Sequence, residues 1–222
     1  TQDGDTRRSS QFEETPRLHI WNTPRRATPF PHIGIPSLDI LMASEDVPTR
    51  NTWTMYAHYL SNSDSYQTSY VKLCDVASFQ EFGRMWNHTH PKLVGDGTRA
   101  VQIQGRRITS WSYFRDEISP EWEHPSNEGG ITYSLRTTMN CDDVYALWET
   151  LVTCCTLSSH PTDLNGVQVY RKSGTVRPRE PGLLMKFDLW FASSASHSDI
   201  AEWLSRSLPN YSFTHLPRAP AR

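Results

Sequence analysis

Trp122 and Glu123 stand side by side, seven residues ahead of the doublet Gly129-Gly130, in a run that opens with Tyr113-Phe114-Arg115-Asp116. A large aromatic face beside a carboxylate suits one kind of ligand: a flat, positively charged ring with hydrogen-bond donors on its edge. A methylated guanine is such a ring. The indole face attracts the delocalised cation, and the carboxylate accepts from the two donors. An isolated Trp-Glu dipeptide reads more plainly as a core tryptophan followed by a surface glutamate. The rest of the chain decides between the two.

The elements that position this pair are legible from periodicity. Trp53, Met55, Ala57 and Tyr59 alternate with Thr54, Tyr56 and His58, which predicts a strand, and Tyr70 to Cys74 predicts a second. Ser78 and Glu81 form a capping-box signature, followed by Phe79, Phe82, Met85 and Trp86 at helical spacing. Ser112 to Arg115 and Ile131 to Arg136 predict strands flanking the Trp122 loop. Asn140 is a good N-cap, with Asp142 and Asp143 near the positive end of the helix dipole. Val144, Leu147, Trp148, Leu151, Val152 and Cys155 then make an apolar stripe. Val167 to Lys172 and Lys186 to Phe191 predict two strands joined by a Gly/Pro/Arg-rich loop. A third helix starts near Ser198 with Ile200, Trp203, Leu204, Ser207 and Leu208 inward, and a short strand near Tyr211 to His215 closes the sheet. Three helices interleaved with antiparallel pairs predict an α+β domain: one curved antiparallel sheet of seven or eight strands, helices on the convex face, a binding slot on the concave side.

Residues 1–47 are different. Pro16, Pro24, Pro29, Pro31 and Pro36, with Arg7-Arg8 and Arg25-Arg26, interrupt any periodicity and predict an extended or flexible arm. Its apolar islands, Ile20-Trp21 and Ile33 through Met42, suit contact with the folded domain or a partner. The domain is expected over 48–216, with a short tail at 217–222.

Composition narrows the function. The net charge of −2 leaves no global field for polyanions, so any nucleic-acid contact must be local and short. Eight Trp, nine Tyr and eight Phe suit a chain that binds with ring faces, although they also build cores. Cys74, Cys141, Cys154 and Cys155 lack Cys-x-x-Cys spacing, which predicts reduced thiols and a cytosolic or nuclear protein. No apolar run reaches membrane-spanning length. His88-x-His90 has no further ligand at helix-face spacing, and no glycine-rich phosphate loop or nucleophile motif is present. Asp142-Asp143 and Asp116-Glu117 are explained by a helix start and a solvated turn. No catalytic residue, metal or cofactor is expected.

Several spaced groups together resemble the eukaryotic translation initiation factor 4E family of messenger-RNA cap-binding proteins. They are Pro48-x-x-Asn51-x-Trp53, Ser65-Tyr66-Gln67, Glu81-Phe82 with Trp86-Asn87-His88, Phe114-Arg115-Asp116 with Ile118, and Pro120-x-Trp122-Glu123. Further on come Asn127 with Gly129-Gly130, Trp148-Glu149-Thr150-Leu151, Gly166-Val167, and Lys186 ending at Trp190. The resemblance covers roughly 47–216. It implies that two rings clamp a 7-methylguanine, Trp122 on one face and Tyr66 on the other, where familiar members carry Trp. On its own, Tyr66 reads as a surface strand-edge tyrosine. The resemblance also implies that Glu123 reads the guanine edge and that Trp190 contacts the ring methyl; Trp190 reads equally as a core residue. Lys186 then falls on a phosphate ligand, and a second falls on Arg171 or Lys172, according to register. Arg177 and Arg179, in the long loop after Ser173, are either a solvated basic loop or further phosphate contacts.

The back of such a domain is expected to bind a peptide helix from a scaffold initiation factor or a repressor. The expected patch is Pro48, Phe79, Gly83, Asn87, Trp148, Glu149 and Val152. Gly83 replaces the usual tryptophan, with Trp148 positioned to refill the surface. Ile131-Thr132 follows the glycine doublet where a basic residue and Trp are frequent. The function implied is cap binding in translation initiation. The alternative is a family-like interaction module or translational repressor with weak or altered cap binding.

Overall fold

The computed structural model describes residues 46–59, 69–89, 102–103, 105–171 and 182–216. Residues 1–45 of the arm, the tail, Tyr66, Lys172, Arg177 and Arg179 lie outside the described residues.

The strands are β1 (Pro48–Tyr59), β2 (Tyr70–Ser78), β3 (Gln102–Ile103), β4 (Arg106–Arg115), β5 (Ile131–Met139), β6 (Leu164–Arg171), β7 (Leu183–Phe191) and β8 (Thr214–Leu216). The helices are α1 (Phe79–Thr89), α2 (Cys141–Thr156) and α3 (His197–Ser207). One open antiparallel sheet runs in the order β2-β1-β4-β6-β7-β5-β8, with β3 paired to β4. The expected α+β architecture is therefore present. β3 went unread because two residues carry no period, and β8 begins later than expected.

Local signals act as expected. The Glu81 amide donates to Ser78 Oγ at 3.2 Å, and the Ser78 amide donates back to Glu81 Oε2 at 3.1 Å, a reciprocal capping box on α1. Asn140 Oδ1 accepts from the Asp143 amide at 2.8 Å to start α2, a cap worth about 1 kcal/mol. Ser196, not Ser198, caps α3.

Partnered residues on neighbouring strands share a face, and the register sorts the two. Trp53, Met55 and Ala57 lie with Tyr113, Trp111, Val167, Val169, Leu189, Phe187 and Met185 on the helix side. Leu147, Trp148, Leu151, Val152 and Cys155 of α2, with Ile200 and Trp203 of α3, are buried as well and complete the core. The opposite side carries Thr54, His58, Ser110, Ser112, Gln168, Asp188 and Ser134, all buried and all polar. They are hydrogen-bonded: His58 Nε2 lies 2.7 Å from Ser112 Oγ, and Tyr170 Oη donates to Gln168 Oε1 at 2.6 Å.

Burial lowers the His58 imidazole from its ordinary value of 6.5 to about 4. The unfolded chain therefore takes up this proton first as pH falls. Stability is complete above about pH 6.5 and declines toward pH 4. Between pH 7 and pH 5 the loss is expected to be about 2 kcal/mol. Urea unfolding at the two pH values checks this; a midpoint that does not move contradicts it.

Candidate functional site

The β4–β5 loop, 116–130, is held by buried amides. Asn127 is fully buried, and its Nδ2 donates to the carbonyls of Ser119 (2.9 Å) and Glu121 (2.8 Å). Asn165 of β6 donates to Ser126 O at 2.6 Å and to Asn127 Oδ1 at 3.2 Å. Tyr70 of β2 donates through Oη to Glu121 Oε1 at 2.9 Å, and Ser119 Oγ donates to Glu121 Oε2 at 3.2 Å. Burial, and then the Glu121 carboxylate, push the Tyr70 phenol up to about 12, so it remains a donor. Gly129 closes the loop at φ +65°, a conformation that most side chains resist. A loop tied at Tyr70, Asn127 and Asn165 presents Trp122 and Glu123 in one place.

Trp122 is 50% exposed, and its ring lies 5.0 Å from that of Trp190 at an interplanar angle of 47°. Beneath it is a small apolar cluster of Tyr56, Phe114, Ile118 and Trp190, with Tyr70 packed against it. Phe114 meets Trp190 edge-on at 5.4 Å. Gly166, partnered with both Phe114 and Trp190, makes this possible: a Cβ there would meet the Phe114 ring at 2.4 Å. Trp190 is 1% exposed and belongs to the core. Glu123 is exposed and makes no hydrogen bond to a described residue. An aromatic platform and an adjacent uncommitted carboxylate are thus presented together above a firm floor.

Farther along the same face stand cations. Lys186 is partnered with Tyr170 on β6 and with Arg136 on β5. Its Nζ lies 2.6 Å from Asp188 Oδ2 and 5.3 Å from the centre of the Tyr170 ring. Asp188, with a side chain only 4% exposed, also accepts from Ser134 Oγ. Arg171 is partnered with Met185, whose side chain is in the core on the helix side. Strand alternation turns Arg171 away from Lys186 and Trp190, so of the two residues that the sequence left open, Arg171 lies on the helix side.

The expected partner patch divides. Pro48, Asn87 and Glu149 are exposed, and Phe79 and Gly83 are half-buried. Trp148 and Val152 are fully buried, so Trp148 does not refill the surface at Gly83. Both extend the α2 stripe at i, i+4 spacing, and the buried arc of that helix, continuing to Thr156, includes them.

Sequence reasoning passed over Asp188, Arg136, Glu121, Tyr70 and Asn165. Alternation alone could have placed Asp188 beside Lys186. Arg136 required the β5–β7 register.

The described cysteines are all free, Cys74 and Cys141 half-buried, Cys154 and Cys155 buried. No described helix is long and apolar enough to cross a membrane. No group of three or more metal-ligating side chains occurs among the described residues.

A model of the eukaryotic initiation factor 4E family matches residues 48–214. No curated protein matches the chain. Among solved structures, eIF4E-3 of Ascaris suum with an m2,2,7G cap is similar at 14% identity and TM-score 0.59, covering 80% of this chain and 94% of that one. A schistosome eIF4E complexed with m7GpppG and 4E-BP is 18% identical at TM-score 0.55, covering 77% and 88%. The C. elegans eIF4E-3 with the 4E-binding protein Mextli and a cap analogue is 13% identical at TM-score 0.61, covering 78% and 93%. At these identities the structures speak for the fold. The family match spans well over half of the sequence, and with it the chain belongs to the eukaryotic initiation factor 4E family.

Proposed function

We propose that this protein binds the 7-methylguanosine cap of messenger RNA and acts in translation initiation through a scaffold partner. The observation that carries the reading is Trp122: a half-exposed indole, backed by Trp190 and fixed by the Asn127 amide, with the Glu123 carboxylate beside it. The base stacks on Trp122, and Glu123 accepts from the two donors of the guanine edge. The family resemblance assigns the other face to Tyr66, a smaller ring than the usual tryptophan, which lies outside the described residues. The resemblance assigns the ring methyl to Trp190; at 1% exposure beneath Trp122, its evident role is to support the platform. The triphosphate runs toward the basic end of the same face, where Lys186 and Arg136 stand; Lys172, Arg177 and Arg179, outside the described residues, are candidates for further phosphate or nucleotide contacts.

The family supplies non-enzymatic cap-binding factors. The Ascaris, schistosome and C. elegans neighbours were solved with cap ligands, and the latter two with 4E-binding proteins. We carry both partners to this chain: capped RNA on the slot side, and a scaffold or repressor helix on the accessible part of the helix side at Pro48, Phe79, Gly83, Asn87 and Glu149. Free thiols support residence in a reducing compartment, cytosolic or nuclear.

Retention on a 7-methylguanosine resin tests the reading. Retention is expected at low salt, with elution by free methylated cap analogue and not by unmethylated analogue. No retention at low salt leaves the alternative, an interaction module or repressor without a cap site.

A further inference from the structure

The cross-strand pair Arg136–Lys186 raises a question that the family resemblance does not answer: which cation meets the phosphates. The two residues are direct partners on β5 and β7, on the slot face, four residues along the strand from the Thr132–Trp190 pair. At about 3.3 Å per residue that is roughly 13 Å from the Trp190 platform. Their circumstances differ. Lys186 has an 18% exposed side chain, a 2.6 Å ion pair with Asp188, and the face of Tyr170 below its ammonium. Asp188 is shut in, and its second oxygen accepts from Ser134. The Arg136 side chain is exposed, and no ion pair or hydrogen bond joins it to a described residue.

Withdrawing Lys186 toward a ligand would strand a buried carboxylate without its cation, which is among the most expensive rearrangements available to a folded chain. Arg136 incurs no such penalty. Its planar fork also matches phosphate oxygens in pairs, whereas an ammonium offers a point charge. We propose that Arg136 is the residue that meets the phosphate chain of the bound nucleotide, and that Asp188 is a positioning residue that keeps Lys186 committed to the sheet. This rests on the cap-binding reading and assigns the phosphates within that site. Asp188 also places a fixed negative charge near the phosphate path, which weakens affinity for highly charged ligands and shifts discrimination toward the base.

Equilibrium binding of two probes, the nucleoside 7-methylguanosine and 7-methyl-GTP, tests this on wild type, Arg136→Gln, Asp188→Asn and the double variant Lys186→Gln/Asp188→Asn. Arg136→Gln is expected to weaken 7-methyl-GTP by about tenfold and to lower the slope of log affinity against log salt by about 0.7–1, with the nucleoside unaffected. Asp188→Asn frees the ammonium, so 7-methyl-GTP binds tighter; the double variant, which removes both charges of the buried pair together, loses that gain. Nucleoside binding reports in every variant that the slot is folded. An Arg136→Gln protein that holds 7-methyl-GTP within about twofold of wild type overturns the proposal, as does weaker 7-methyl-GTP binding by Asp188→Asn. Both of those results leave the base slot intact. A wild-type protein that binds neither probe overturns the proposal and the cap-binding reading together.

Discussion

In the Trp122→Ala variant, affinity for 7-methylguanosine nucleotides is expected to fall by roughly 5- to 150-fold, the span of about 1–3 kcal/mol for one stacked base. The variant removes the platform without removing its support. Trp190, Phe114 and Ile118 are packed against one another beneath the ring, and the loop is tied by Asn127, Asn165 and the Tyr70–Glu121 bond, none of which depends on the indole. Half of the Trp122 surface already faces solvent. The thermal midpoint should therefore move little while binding collapses. Titration with 7-methyl-GTP, beside a melting curve, separates loss of the site from loss of the fold. Unchanged affinity would contradict the assignment of Trp122.

Glu123→Ala should leave a protein that still stacks methylated bases and no longer prefers guanine. The carboxylate is exposed and makes no hydrogen bond to a described residue, so nothing in the fold requires it. Its expected work is against the ligand alone. Guanine offers two adjacent donors in the plane of the ring, and two carboxylate oxygens accept both; adenine lacks that pair. The discrimination lost is about 1–3 kcal/mol, by analogy with bidentate readout of base edges. Competition between N7-methylated guanine and adenine nucleotides measures it. A Glu123→Ala protein with its guanine preference intact would contradict the role.

Much of this site was legible because its signals are local. Ser78 with Glu81 and Asn140 with Asp143 announce helix starts within four residues, and both caps form. The alternation around Trp53 identifies β1 and its apolar side. The Trp122 loop is marked by Trp122-Glu123 ahead of Gly129-Gly130, in order with the other spaced groups along the chain. What escaped depends on pairing. Arg171 and Lys172 are equivalent in one dimension, and only the partnership of Tyr170 with Lys186 turns Arg171 toward the helices. Arg136 is an unremarkable basic residue until the β5–β7 register brings it against Lys186. Asp188 looks like an exposed charge between two apolar residues, but a sheet that buries both faces makes it an internal counter-ion. Trp148 was expected to refill the surface left by Gly83, although it also sits in the apolar stripe of α2; the wide buried arc of that helix takes it inside.

The same distinction orders the site energetically. The base platform is built from short-range packing and buried amide bonds, and it stands in the absence of ligand. The phosphate end depends on how charges on two adjacent strands, β5 and β7, neutralise one another. Affinity for the base and affinity for the phosphates are therefore separable properties, and substitutions at Trp122 or Glu123 on one side and Arg136 or Asp188 on the other should act on different parts of the same ligand.

An indole that stacks on a cationic purine loses fluorescence, so the direct measurement is a tryptophan-quenching titration of the wild-type protein with 7-methyl-GTP and with GTP at low salt. Saturable quenching by the methylated nucleotide, with GTP weaker by about fivefold or more, is what a half-exposed aromatic platform predicts for a ring made positive by methylation. Equal response to the two nucleotides, or none to either, would mean that no such ring is recognised there.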